Sequence, residues 1–264
     1  MVPPTLIPKK SILTILLLLG WPLMGHAEKV LNIAGAGPSA AVVKLFFDEF
    51  SKRPEGQGYR FVVPQSSIKH KGGIRHSDTH LFGRSGRPLS ESEQGQNKDE
   101  IIIARVPLAF VAGSGVPIRS MTIGTLADIY SGRISNWKAL GGPDQKIKLV
   151  GREATESALN VLQRDFSFFR QLEFDEILLR DHEIVDYIAS PAGRFALSFG
   201  ARSNFEDRYV IDVYGFSSGV SVGLVYDTAN ANHPLVDSIK AYASTPEWFH
   251  TVQFHNYLPP KGDD

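Results

Sequence analysis

Apolar positions along the chain keep two rhythms. Short β-branched or alternating runs at 30–34, 59–63, 101–104, 106–111, 146–150, 209–213 and 220–226 predict strands, and 192–199 reads as a turn and a strand. Between them the apolar spacing lengthens to three and four. Val43, Phe46, Phe47 and Phe50 make one helical face, with Ser39 at the cap position. Ile123, Leu126, Ala127 and Tyr130 make another, capped by Thr122 and ended by Ser131 and Gly132. Leu159, Leu162, Phe166 and Phe169 predict one long helical face. Residues 183–189 predict a helix that stops before Pro191. Leu235, Ile239 and Tyr242 line a further helix, and Pro246 opens a last one around Trp248 and Val252. Strands that alternate with helices through most of the chain favour an α/β layered fold.

Donor-rich, glycine-rich stretches sit where strands hand over to helices. Gly35-Ala36-Gly37-Pro38-Ser39 turns into the first helix and presents free N–H groups at the positive end of its dipole. It is not a dinucleotide fingerprint, because the third glycine and the placed acidic residue are missing. Residues 65–74 follow a strand and read as a loop holding Ser66, Ser67, Lys69, His70, Lys71 and a Gly72-Gly73 pair. Tight backbone turns and clustered donors of this kind suit an oxyanion. Residues 83–90 read as another loop, in which Arg84 and Arg87 flank Ser85 and Gly86 and either pair an anion or are solvated. Arg152, Thr155 and Ser157 stand at a helix start, where the alternative is a capping box with a surface arginine. Residues 94–100 form the most polar surface segment.

Charge and composition narrow the classes. Residues 1–27 read as a secretory signal peptide: Lys9 and Lys10, an apolar run from Ile12 to Trp21, then Gly25-His26-Ala27 as a small-residue cleavage site. Without that segment 237 of the 264 residues remain, and 26 basic side chains stand against 28 acidic ones. No basic field for nucleic acid exists. The chain has no cysteine, which for an exported protein fits a bacterial periplasm and leaves no lipidation site after the signal. Eight histidines are spread without ligand spacing, so no metal or cofactor is expected. There is neither a Gly-x-Ser-x-Gly elbow nor a His-Glu-x-x-His helix, so no enzyme is expected either.

Several stretches, taken in order, resemble the phosphate-binding proteins of the phosphate ABC transporter, within the type II periplasmic binding protein family. The most specific is Leu126-Ala127-Asp128-Ile129-Tyr130-Ser131-Gly132-Arg133-Ile134-Ser135-Asn136-Trp137, similar to the family's I-F-x-G-K-I-x-N-W segment. Gly35 to Ser39 is similar to its G-A-G-A-T start, Ser67 to Ile74 to S-I-G-S-G-G-G-I, and Ser85 to Leu89 to S-D-A-P-L. Gly151-Arg152-Glu153 resembles the arginine that opens R-x-x-x-S-G-T, and Tyr257-Leu258-Pro259 resembles the closing G-Y-x-P. The matches run over nearly all of the chain after residue 30.

The resemblance implies a two-lobed α/β fold with the ligand in a cleft between the lobes. Lobe one would comprise 28–108 and 218–264, and lobe two 109–217. It implies a periplasmic, monomeric solute-binding protein that takes phosphate or a related oxyanion and delivers it to an ABC transporter permease. The ligand residues it implies are Ser39, Ser67, His70, Ser85, Arg152, Thr155 and Ser157. Three positions depart from the family. His70 stands at a serine, Gly86 at the aspartate that accepts the ligand's proton, and Glu156 at the serine of S-G-T. Glu156 either supplies an acceptor or lies outside the pocket against Arg152. The alternative function is a periplasmic sensor or scaffold that keeps the fold without tight phosphate binding.

Overall fold

The computed structural model describes residues 28–170 and 172–260. The segment read as a signal peptide lies outside the described residues. The strands are β1 (Lys29–Asn32), β2 (Tyr59–Val62), β3 (Gly83–Ser85), β4 (Lys98–Ala112), β5 (Ser120–Thr122), β6 (Lys148–Arg152), β7 (Glu176–Leu178), β8 (Ala196–Ala201), β9 (Val210–Tyr214) and β10 (Gly219–Asp227). The helices are α1 (Ala40–Phe50), α2 (Lys69–His76), α3 (Glu91–Gln94), α4 (Ile123–Tyr130), α5 (Ser157–Asp165), α6 (Asp181–Ala189), α7 (Pro234–Ala243) and α8 (Pro246–Phe254).

β1 and β2 pair in parallel. The larger sheet runs β3-β10-β4-β8-β6-β7, with β9 joining β4 and β5. Its spine is the antiparallel pair β4 and β10, in which Val106 faces Val220 and Pro107 faces Gly219. Two hydrophobic cores flank the middle of that pair. One gathers Ile33, Phe46, Phe47 and Phe50 with Ile103 and Val106 of β4, Val222 and Leu224 of β10, and Trp248. The other gathers Leu126, Tyr130, Trp137, Leu162 and Phe169 with Leu108 and Phe110 of β4 and Val220 of β10. The cores change over between Val106 and Leu108 on one strand and between Val222 and Val220 on the other. This is a two-lobed α/β architecture whose lobes share two crossing strands.

Four sequence expectations differ from the structure. The strands expected at 101–104 and 106–111 are one strand of 15 residues. Arg105 does not interrupt it, because its side chain leaves the ladder and its Nε donates to the Pro259 carbonyl at 2.9 Å. The helix expected to reach Phe169 ends at Asp165, and Ser167–Phe169 is a separate 3-10 turn that still buries Phe169. The loop expected over 65–74 is helical from Lys69 onward. Its glycines serve packing: a Cβ on Gly73 would stand 2.2 Å from the Arg84 carbonyl oxygen, so only glycine lets α2 lie against β3. Finally, Lys98 in the segment read as surface is 5% exposed, its ammonium held by Asp78 and Asp227.

Candidate ligand-binding site

A cavity of about 550 Å3 opens where the two cores change over. Val106, Leu108, Val220, Val222 and Ala201 give it an apolar lining. Pro38, Lys69 and Gly86 line it from lobe one; Arg152, Glu153, Thr155, Glu156, Ser157 and Asp181 line it from lobe two. Lys69 is the first residue of α2, Ser157 of α5 and Asp181 of α6, while Pro38 precedes the cap of α1. Four helix N-termini therefore meet at one cavity, each turning the positive end of its dipole towards it, although those of α5 and α6 are already capped by Glu156 and Glu183. A second cavity of about 570 Å3 is lined by residues such as Asn32, His80, Asp227 and His233. It takes no residue of lobe two, so nothing can close over it from both sides.

The lobe-one wall is organised by Arg84, a fully buried side chain of β3. Its Nε donates to the Ala36 carbonyl at 3.0 Å, Nη1 to Ile33 and Pro64 at 3.1 and 2.7 Å, and Nη2 to Gly35 and Ser66 at 3.2 and 3.1 Å. All five N–H donors are spent on backbone carbonyls of the two loops that lead into α1 and α2. Burial lowers its pKa, yet a guanidinium stays charged. Its positive charge thus lies beneath both loops. Above it, the Lys69 ammonium has no ion pair among the described residues.

The lobe-two wall carries acids around one cation. Arg152, 8% exposed, donates Nε and Nη2 to Glu153 at 3.0 and 3.3 Å, Nη1 to Asp181, and Nη2 to the Leu179 carbonyl at 3.0 Å. Burial opposes its charge, but Glu153 and Asp181 outweigh burial and raise its pKa. Glu156 is the N-cap of α5, its Oε2 accepting the Leu159 N–H at 2.8 Å. Burial raises the Glu156 pKa against the pull of the Ala158 and Leu159 N–H groups and of Arg152. The carboxylate occupies the end of the helix that an anion would otherwise meet.

Of the residues expected to bind ligand, Arg152, Thr155 and Ser157 line the cavity together. Ser39, Ser67, His70 and Ser85 are not among the residues that line it. The Ser39 hydroxyl is buried and donates to the Ala36 carbonyl at 3.0 Å. Ser67 is exposed and its Oγ accepts the Lys69 N–H at 3.2 Å. The Ser85 hydroxyl accepts the Gly223 N–H at 3.0 Å. His70 is held at both nitrogens: Nδ1 accepts the Gly86 N–H at 3.2 Å, which puts the proton on Nε2, 3.4 Å from Glu93. Burial and then Arg87 lower its pKa, so it is neutral at pH 7 and braces Gly86. Glu156 lines the cavity beside Arg152 and does not lie outside it. Arg87 forms a two-pronged pair with Glu93 at 2.8 and 2.9 Å, away from the cavity lining. Sequence reasoning missed Glu153 and Asp181 as lining groups. Asp181 lies 29 residues from Arg152, with no local pattern joining them.

A model of the PBP superfamily domain matches residues 25–232. The chain belongs to the PBP superfamily. Its two-lobed α/β fold is the one shared by that superfamily. Over 136 residues it is 25% identical to the phosphate-binding protein PstS of Borreliella burgdorferi, covering 52% of this chain and 48% of that protein. The chain thus spans about half the length of that relative. A phosphate ABC transporter substrate-binding protein of Clostridium perfringens, solved with bound phosphate, superposes with a TM-score of 0.58 at 19% identity, covering 88% of this chain and 100% of that one. An ABC-type phosphate transport receptor of Vibrio cholerae gives 0.54 at 18% identity, covering 88% and 100%. Among the described residues no group of three His, Cys, Asp or Glu is arranged to hold a metal ion, and no helix is long and apolar enough to cross a membrane.

Proposed function

We propose that this protein is a periplasmic solute-binding protein of an ABC transporter, whose cleft takes phosphate or a related oxyanion group and hands it to a permease. The observation that carries the reading is the meeting of the α1 and α2 N-termini, Lys69 and Arg152 at one cavity on the two crossing strands. Donors on both lobes close on the anion, and the closed form gains from contacts the open form lacks. Lobe one is 28–108 with 218–264 and lobe two is 109–217, a division supported by the changeover of cores on β4 and β10. The relatives named for phosphate support the ligand class. The chain works as a monomer delivered through a cleaved signal segment.

Calorimetry tests the reading. Protein unfolded and refolded to strip carried ligand is titrated with phosphate, sulfate and a phosphate monoester. Heat with at least one of them is expected; no heat with any sinks the reading. A sensor or scaffold is the second reading, and one observation favours it: four of the five Arg152 N–H donors are already committed within the protein.

A further inference from the structure

The two walls of the cleft differ in sign. Lobe one offers the Lys69 ammonium, the N-termini of α1 and α2, and the buried Arg84 charge beneath them. Lobe two offers Glu153, Glu156 and Asp181 against Arg152 alone. Across the lining, three carboxylates face two cations, a formal balance of −1. The Arg152 charge is consumed by its neighbours, and the α5 N-terminus is occupied by Glu156. A fully ionised tetrahedral anion is drawn to one wall and repelled by the other. The cavity, about 550 Å3, lies in the range of drug-sized organic ligands and exceeds what one tetrahedral anion fills.

We infer that the ligand is bipolar. Its anionic head, a phosphate or phosphonate, lies against Lys69 and the α1 and α2 N-termini. Its ammonium tail donates to Glu156 and Asp181. Glu156 is then the specificity-determining residue: it weakens the hold on a bare oxyanion through like charge and favours a molecule that brings its own cation. This rests on the cleft being the ligand site, as proposed above. Gly86, without a carboxylate to accept the ligand's proton, fits the same scheme, since the acceptors have moved to the other wall.

The probes are phosphoethanolamine, propyl phosphate and inorganic phosphate. Propyl phosphate keeps the head and replaces the ammonium with a methyl group. Calorimetry at pH 7.5 on the refolded, unaltered protein is expected to give phosphoethanolamine a Kd at least tenfold below that of propyl phosphate. Glu156→Gln, which keeps an acceptor for the Leu159 N–H, is expected to cut that ratio below threefold. Asp181→Asn serves as a second variant should the first melt early. Propyl phosphate or inorganic phosphate binding as tightly as phosphoethanolamine overturns the inference and leaves the oxyanion reading standing. No heat with any probe overturns both.

Discussion

The guanidinium of Arg84 donates to the carbonyl of Pro64 at 2.7 Å, fixing a loop twenty residues upstream to the strand that carries it. Four more carbonyls depend on the same side chain. Arg84→Met removes the guanidinium from all five, and among the described residues only the Ala36 and Gly35 carbonyls keep a second donor, the Ser39 hydroxyl and the Ile68 N–H. Unfolding in urea is expected to show a loss of about 3–5 kcal/mol. Arg84→Lys, with three donors, recovers only part of it. A loss under ~1 kcal/mol in the methionine variant means that water replaces the guanidinium and that the loops hold themselves.

The Arg87–Glu93 pair predicts acid sensitivity. Hydrogen bonding from Arg87 holds the Glu93 carboxyl down at about 2, against an ordinary 4.5. A depressed carboxyl contributes stability that is present above about 4.5 and is lost as pH falls towards 2. Arg87→Met is expected to cost roughly 1–2 kcal/mol at pH 7, discounted for the partial exposure of the arginine. The difference from the unaltered protein should vanish near pH 2. Equal acid midpoints for the two proteins would show the pair to be inert.

Glu100 behaves in the opposite sense. Its Oε1 accepts the Leu89 N–H at 2.8 Å, while Oε2 is buried with no partner among the described residues. Burial pushes its carboxyl up to about 7 from 4.5. The stability tied to this proton is full below about 4.5 and is lost as pH climbs through 7. Glu100→Gln, which mimics the protonated acid, is expected to leave stability unchanged at pH 4.5 and raise it by about 1–3 kcal/mol at pH 8. A variant less stable than the parent at pH 8 refutes the assignment.

Arg152 separates binding from scaffolding. Arg152→Ala leaves Glu153, Glu156 and Asp181 facing the cleft with Lys69 as the remaining lining cation. Affinity for a phosphate group is expected to fall by about tenfold or more, because the lining then sets three carboxylates against one cation. A partner that reads only the lobes should bind the variant unchanged. Unaltered phosphate affinity makes Arg152 a structural residue of the β6–α6 corner.

Much of the fold was legible because the rhythm of Val43, Phe46, Phe47 and Phe50, and of Leu126 and Tyr130 behind Thr122, is set by local geometry. These residues are buried on α1 and α4 as the spacing requires. The start of α2 was not legible, since Gly72-Gly73 signals a turn locally and only the approach of β3 turns it into a packing requirement. At the site, Arg152, Thr155 and Ser157 were readable from one strand-to-helix junction. Their electrostatic meaning was not. It depends on Asp181 arriving from another helix and on Glu156 capping α5, where serine, threonine, aspartate or asparagine is the commoner choice. Arg84 illustrates the same limit, because a guanidinium flanked by glycine and serine looks alike whether it meets an anion or five carbonyls.

Pro107 faces Gly219 on the strand pair that both lobes share. The proline has no N–H to give the ladder, and the glycine has no side chain to stiffen it; a Cβ there would press within 2.8 Å of the Val106 carbonyl oxygen. The ladder is therefore thinnest at the boundary between the cores. With no slack linker to swivel on, opening and closing must flex a leaf spring at its narrowest point. Its stiffness then sets the work that any solute must do to shut the cleft.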